Sequence, residues 1–185
     1  MLKIVAITGM PGAGKSTAAN SLISMGWKKV VMGDVVREET RRRGLEPDAK
    51  NTGEVMKELR REHGEAAVAE LCLKAVEATG SDRVVVDGIR SMSEVEVFRR
   101  KARVLVVAVQ ASPPRRFSLL KERGRSDDPP NHEVFQKRDD RELGVGLGLA
   151  IVLADEVISN EHKSPDTLAR EITGLVTEWS ERDDP

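Results

Sequence analysis

Gly9-Met10-Pro11-Gly12-Ala13-Gly14-Lys15-Ser16-Thr17 stands immediately after the apolar run Ile4 to Ile7 and before a stretch of helical character. Glycines at 9, 12 and 14 allow backbone conformations that other residues avoid, so successive N–H groups can turn toward one point. A helix beginning near Lys15 adds the partial positive charge of its N-terminus. The spacing is G-x-x-x-x-G-K-[ST], a phosphate-cradling pattern, and it sits in the strand–loop–helix context that the pattern requires. All nine residues are therefore candidates for holding the phosphates of ATP or GTP, the base itself not being encoded in the loop. Within it Lys15 should contact the β- and γ-phosphates as a compact cation, and the Ser16 hydroxyl should ligate Mg²⁺.

Beyond the loop, short apolar runs alternate with helical patterns. Strands are predicted at Lys3 to Thr8, Lys29 to Met32, Arg83 to Val86, Val104 to Gln110 and Glu156 to Ser159, none beside a two-residue hairpin turn. Helix starts are signalled by Ser91 with Glu94 as a capping box, by Ser112 before Pro113 and by Ser164 before Pro165. The last helix places Leu168, Ile172, Leu175, Val176 and Trp179 on one stripe. Strands separated by helices predict βαβ units and a three-layer α/β P-loop fold with a five-stranded parallel sheet. Residues 35–79 hold no strand and read as a helical insertion; residues 123–138, rich in Arg, Asp and Pro, read as a mobile flap.

The chain of 185 residues has the size of one domain, and its 39% hydrophobic and 33% charged content is that of a soluble globular protein. No apolar run approaches the ~18 to 20 residues that span a bilayer, and the N-terminus lacks a signal-peptide layout. A cytoplasmic protein without a membrane partner is expected. Thirty basic and 31 acidic residues leave a net charge of −1, and aromatic content is 3% without tyrosine, so nothing favours a nucleic-acid partner. The single cysteine, Cys72, excludes an internal disulfide and a multi-cysteine zinc site and is expected in the core.

With Gly33-Asp34-Val35-Val36-Arg37 and Asp87-Gly88-Ile89-Arg90 added to the loop, most of the chain resembles the nucleoside monophosphate kinases, adenylate kinase in particular. As a whole it is similar to a group of archaeal proteins described as kinase-related. The resemblance implies that Arg37 and Arg90 grip the phosphate of an acceptor, which a guanidinium can do bidentately. Asp34 would orient Arg37 or line the acceptor site itself. Asp87, at the end of an apolar strand, would join Ser16 at the metal by holding a water of the Mg²⁺ shell. Arg125-Ser126-Asp127-Asp128 followed by Lys137-Arg138 resembles the adenylate kinase lid, which implies that Arg125 and Arg138 supply positive charge to the transferring phosphoryl group. Arg123, ending the preceding helix, would stack on the nucleotide base. Taken by itself, the run Arg138 to Glu142 is equally a solvated charged face.

This chain departs from that family at several positions. The proline that precedes the family arginine is missing before Arg90, and a zinc-bearing lid cannot exist with one cysteine. Glu94 replaces the glutamine that reads adenine; a carboxylate only accepts hydrogen bonds and would favour guanine or cytosine, unless it serves merely as the far half of the Ser91 capping box. The tail Ala154-Asp155-Glu156-Val157-Ile158-Ser159-Asn160 resembles dephospho-coenzyme A kinase and keeps open a hydroxyl acceptor, with Asp34 as general base. A slow nucleotide-dependent switch would lack an arginine-equipped acceptor site, and Arg37, Arg90, Arg125 and Arg138 speak against it. The residues favour ATP- or GTP-dependent phosphoryl transfer to a small phosphate-bearing acceptor, a nucleoside monophosphate first.

Overall fold

The computed structural model describes residues 1–124 and 128–182. Its elements in chain order are β1 (Lys3–Thr8), α1 (Lys15–Ile23), β2 (Lys28–Val31), α2 (Met32–Arg42), α3 (Ala49–His63), α4 (Ala67–Ala78) and β3 (Arg83–Ile89). There follow α5 (Met92–Arg99), β4 (Arg103–Gln110), α6 (Pro113–Arg123), α7 (His132–Gly144), α8 (Leu147–Val152), β5 (Glu156–Ser159) and α9 (Pro165–Glu181). The five strands form one sheet in the order β2-β3-β1-β4-β5, and every pairing is parallel. From β1 the chain first runs outward to β2 and later returns through β3 to β4 on the other side. That change of direction opens a crevice at the carboxyl ends of β1 and β3, where open α/β sheets bind ligands.

Both faces of the sheet are covered, which is why its strands read as nearly continuous Val and Ile rather than as an alternating pattern. Ile4, Ala6, Val84 and Val86 face one core with Val36, Cys72, Val76 and Phe98 of the helices α2, α4 and α5. Val5, Ile7, Val85 and Val107 face the other, against Ala18 and Leu22 of α1 and Leu168, Ile172 and Val176 of α9. Each such side chain contributes roughly 1.5–3 kcal/mol on leaving water. The predicted α9 stripe is thus the packing stripe, with Leu175 and Trp179 at its edge. Among the described residues no helix is long and apolar enough to cross a membrane.

Several boundaries differ from expectation. β2 begins at Lys28, and Met32 belongs to α2. β3 runs on past Val86 to Ile89 through a bulge: Ile7 pairs with Asp87 and Thr8 with Ile89, leaving Gly88 unpaired at φ +108°. The residues between β2 and β3 are helical as expected, yet α4 is an integral layer of the first core rather than an excursion. Within 123–138, where a flap is expected, the chain is helical from His132 onward, and residues 125–127 lie outside the described residues. Asn131 caps α7 by accepting from the Val134 amide at 3.0 Å, and Phe135 packs on Phe117 and Leu120. The charged surface of α7 concealed that apolar anchor.

Cys72 is fully buried in α4, and burial pushes its thiol up to about 12, assisted by the nearby Glu94 carboxylate. The thiolate is the reactive form. Native protein at neutral pH should therefore react with an aromatic disulfide reagent roughly a thousandfold more slowly than protein unfolded in guanidinium, a ratio read directly from absorbance.

Candidate active site

The loop between β1 and α1 is shaped by steric demands that only glycine meets. Gly9 has φ +140°, and a Cβ there would lie 2.2 Å from the Val109 carbonyl oxygen. At Gly14, φ +105°, a Cβ would stand 2.5 Å from Asn160 Nδ2. Met10 packs its side chain beside Leu147 and Ile151. α1 receives no side-chain cap and has no acidic residue in its first turn, so its leading amides are offered to an anion.

Two buried side chains outside the motif hold this loop. Asn160, at the end of β5, donates from Nδ2 to the Ala13 carbonyl at 2.9 Å, while its own amide donates to Gln110 at 2.6 Å. Arg116 of α6 donates to the Pro11 carbonyl at 3.1 Å and grips Asp139 of α7 with bonds of 2.9 and 2.5 Å. Its guanidinium also lies 4.8 Å from the centre of the Phe135 ring. Sequence reasoning missed both. Arg116 belongs to the run Pro113-Pro114-Arg115-Arg116, which looks like an exposed helix start, and no spacing rule links it to Asp139.

Lys15 Nζ donates to the Gly9 and Met10 carbonyls at 2.7 and 3.0 Å. Burial lowers its pKa to about 8, against the pull of Asp87 and Glu142 and with the push of Arg90 and Arg138. Ser16 Oγ donates to Asp87 Oδ2 at 3.2 Å, and Asp87 is 5% exposed. The bulge at Gly88 follows Asp87 directly, and Thr8 Oγ1 pins it by donating to the Ile89 carbonyl at 2.9 Å. A hydroxyl and a carboxylate in contact suit Mg²⁺, which takes few protein oxygens and keeps the rest for water and phosphate. Among the described residues no group of three or more His, Cys, Asp or Glu could hold a metal by itself.

Of the residues expected at an acceptor, Arg90 ends in a contact with Glu142 of α7, Nε to Oε2 at 2.9 Å, and reaches Met56 of α3. Arg37 is exposed and paired with Asp34 on the same helix; no bond among the described residues links this pair to the Lys15 cluster. Glu94 is 1% exposed. It accepts from the Arg90 amide at 2.7 Å, one residue earlier than a capping box demands, and from Arg60 at 3.4 Å, while Ser91 Oγ caps α5. Burial raises the Glu94 pKa, opposed by those bonds. The base-reading expectation is corrected accordingly: this carboxylate is buried and engaged in fixing the Arg90 turn.

Of the lid residues, Arg125 lies outside the described residues. Arg138, on α7, is within electrostatic reach of Lys15 and 3.7 Å from Asp128. Arg123 also pairs with Asp128. Arg123 borders a cleft of about 440 Å³ lined also by Gly14, Lys15, Ser16, Asn20, Asn160 and Pro165.

The family described as AAA domain matches residues 8–136, from the loop through β2, β3 and β4 into α7. A UPF0200 protein of Methanocaldococcus jannaschii is 48% identical over 167 residues, spanning 89% of this chain and 85% of the relative. The chain belongs to the UPF0200 family and carries the AAA domain. A second UPF0200 relative, from Methanosarcina mazei, is 40% identical over 185 residues and covers 99% of this chain and 98% of its own. In fold, this UPF0200 chain is similar to TT1252 from Thermus thermophilus, with TM-score 0.66, 19% identity and coverage of 96% and 97%. Shikimate kinase from Acinetobacter baumannii, solved with shikimate, gives 0.60, 17%, 98% and 97%. The five-stranded parallel sheet is that of the P-loop kinases.

Positive φ and steric exclusion separate cleanly at two glycines. Gly26 has φ +85° with nothing within 4 Å of an added Cβ, whereas Gly9 meets backbone at 2.2 Å. Gly26→Ala should cost about 1 kcal/mol, the left-handed penalty alone. Gly9→Ala should cost more than about 4 kcal/mol or fail to fold, as read from urea unfolding followed by circular dichroism.

Proposed function

We propose that the protein transfers the γ-phosphoryl group of ATP or GTP to a small phosphate-bearing acceptor, a nucleoside monophosphate being the class its arginines suit best. The observation that carries this reading is the 3.2 Å contact of Ser16 with Asp87 beside the loop, with Arg90 following the same strand as Asp87 and Arg138 of α7 among the charges that act on Lys15. A loop that only bound nucleotide would need neither arginine.

In this reading the loop amides and the α1 N-terminus hold the β- and γ-phosphates, and Lys15 turns from the Gly9 and Met10 carbonyls onto them. Mg²⁺, held by Ser16 and through water by Asp87, would neutralise phosphate charge when bound. The nucleotide base occupies the cleft beside Arg123. Arg90, aided by Arg37, binds the acceptor's phosphate and aligns its attacking oxygen. Arg138, with Arg125, supplies positive charge to the phosphoryl group in flight, an electrostatic contribution that costs little reorganisation when the donors are already placed.

Two fold neighbours are titled shikimate kinase and sugar kinase, which makes a non-nucleotide acceptor the second reading. A hydroxyl acceptor needs a base near its oxygen, and Asp34, the residue expected for it, is engaged by Arg37.

Incubation with ATP or GTP and a panel of nucleoside monophosphates, phosphorylated alcohols and shikimate should release ADP or GDP above the acceptor-free rate with a monophosphate. Release with an alcohol alone would transfer the assignment to the second reading; release indifferent to every acceptor would leave a slow NTPase. Lys15→Ala should lower turnover by roughly 10²–10³. Arg90→Ala should raise KM for the acceptor far more than it changes the Kd for ATP.

A further inference from the structure

Each described cation assigned above to a phosphate meets an oxygen of this chain: Lys15 two loop carbonyls, Arg138 the Asp128 carboxylate, Arg37 the Asp34 carboxylate, Arg90 the Glu142 carboxylate. The last pairing differs from the rest because it joins the two substrate sides. Arg90 follows β3 on the acceptor side, and Glu142 lies in the last turn of α7. Side-chain exposures of 32% and 19% place their bond at the mouth of the site, partly sheltered from water. Glu142 is also within electrostatic reach of the Lys15 ammonium. Its helix is moored to the phosphate loop, because Asp139, three residues earlier, is gripped by the same Arg116 that donates to the Pro11 carbonyl.

A carboxylate bonded to Arg90 and within electrostatic reach of Lys15 relieves the repulsion between these two cations. A triphosphate on Lys15 reverses that balance, since its terminal oxygens bring negative charge next to Glu142 and satisfy the lysine themselves. We infer that Glu142 is a positioning residue for the acceptor: it holds the Arg90 guanidinium while the phosphate loop is empty, and the γ-phosphate drives it off. Nucleotide binding thereby makes Arg90 available to the acceptor's anion. The inference rests on the reading of Arg90 as an acceptor-phosphate residue. Its quantitative content is that the acceptor's apparent Kd is its intrinsic Kd divided by the fraction of molecules with Arg90 released.

The test uses phenyl phosphate as the acceptor probe, titrated calorimetrically into the full chain with and without saturating Mg²⁺ and a non-hydrolysable ATP analogue. Wild type, Glu142→Gln and Arg90→Ala are compared, and the Arg90→Ala signal is subtracted to remove phosphate binding at the loop itself. In wild type the analogue should tighten the Arg90-dependent binding roughly three- to tenfold, the scale of a partly exposed ion pair. Glu142→Gln should bind the probe at the tightened level without the analogue and gain nothing from it. Glu142→Asp, one methylene shorter, should fall between and guards against a folding defect in the first variant. A purely structural role would lower the melting temperature and weaken the probe, the opposite direction. Binding that depends on Arg90 but is unchanged in Glu142→Gln, or still tightened by the analogue there, overturns this inference alone. Equal binding by Arg90→Ala and wild type overturns the acceptor reading together with it.

Discussion

A loop whose amides must all face a phosphate has to turn its carbonyls the other way, into protein, and buried carbonyls need donors. Four of them find donors from scattered parts of the chain. Lys15 serves Gly9 and Met10, Arg116 serves Pro11, and Asn160 serves Ala13. The glycine conformations, the seating of α6 and the close approach of the β5–α9 turn all follow from that requirement. The contact of Gly9 with the Val109 carbonyl shows how little room is left. The familiar motif describes the inner surface of the loop and its lysine; Arg116 and Asn160, which it does not mention, hold the Pro11 and Ala13 carbonyls from outside.

Legibility in the sequence divides along the same line. The loop, the sheet and the α9 stripe were readable because each depends on local spacing: glycine against φ, a period of two or an unbroken Val run against a strand, 3.6 against a helix. Serines 91, 112 and 164 cap their helices as read. Arg116, Asn160 and Glu142 were not readable, since their partners lie 23 to 147 residues away and nothing in a charged run marks which member turns inward. Family resemblance located Arg90 but offered Glu94 as a base reader, where burial has assigned it to the backbone instead. α7 was hidden because the charged residues around Phe135 hide a short apolar anchor.

The balanced composition acquires a local meaning here. A net charge of −1 conceals a cluster whose described cations are each met by an oxygen of the chain itself. Asp87 and Glu142 offset the repulsion that Arg90 and Arg138 exert on Lys15, so that an anionic ligand would exchange one set of anions for another. Affinity then reflects a difference between two sets of contacts, so modest internal pairs tune it without any change to the motif.

The bond from Asn160 to the Ala13 carbonyl crosses 147 positions of sequence, and α9 supplies Leu168, Ile172 and Val176 to the core behind α1. During synthesis the motif therefore leaves the ribosome long before the structure that stiffens it. A nascent chain carries residues 9–17 for most of its translation as an unsupported segment, and the loop closes only after β5 and α9 have emerged. Contacts of such span are slow to form, and the glycine loop has its full set of supports only once β5 and α9 are in place.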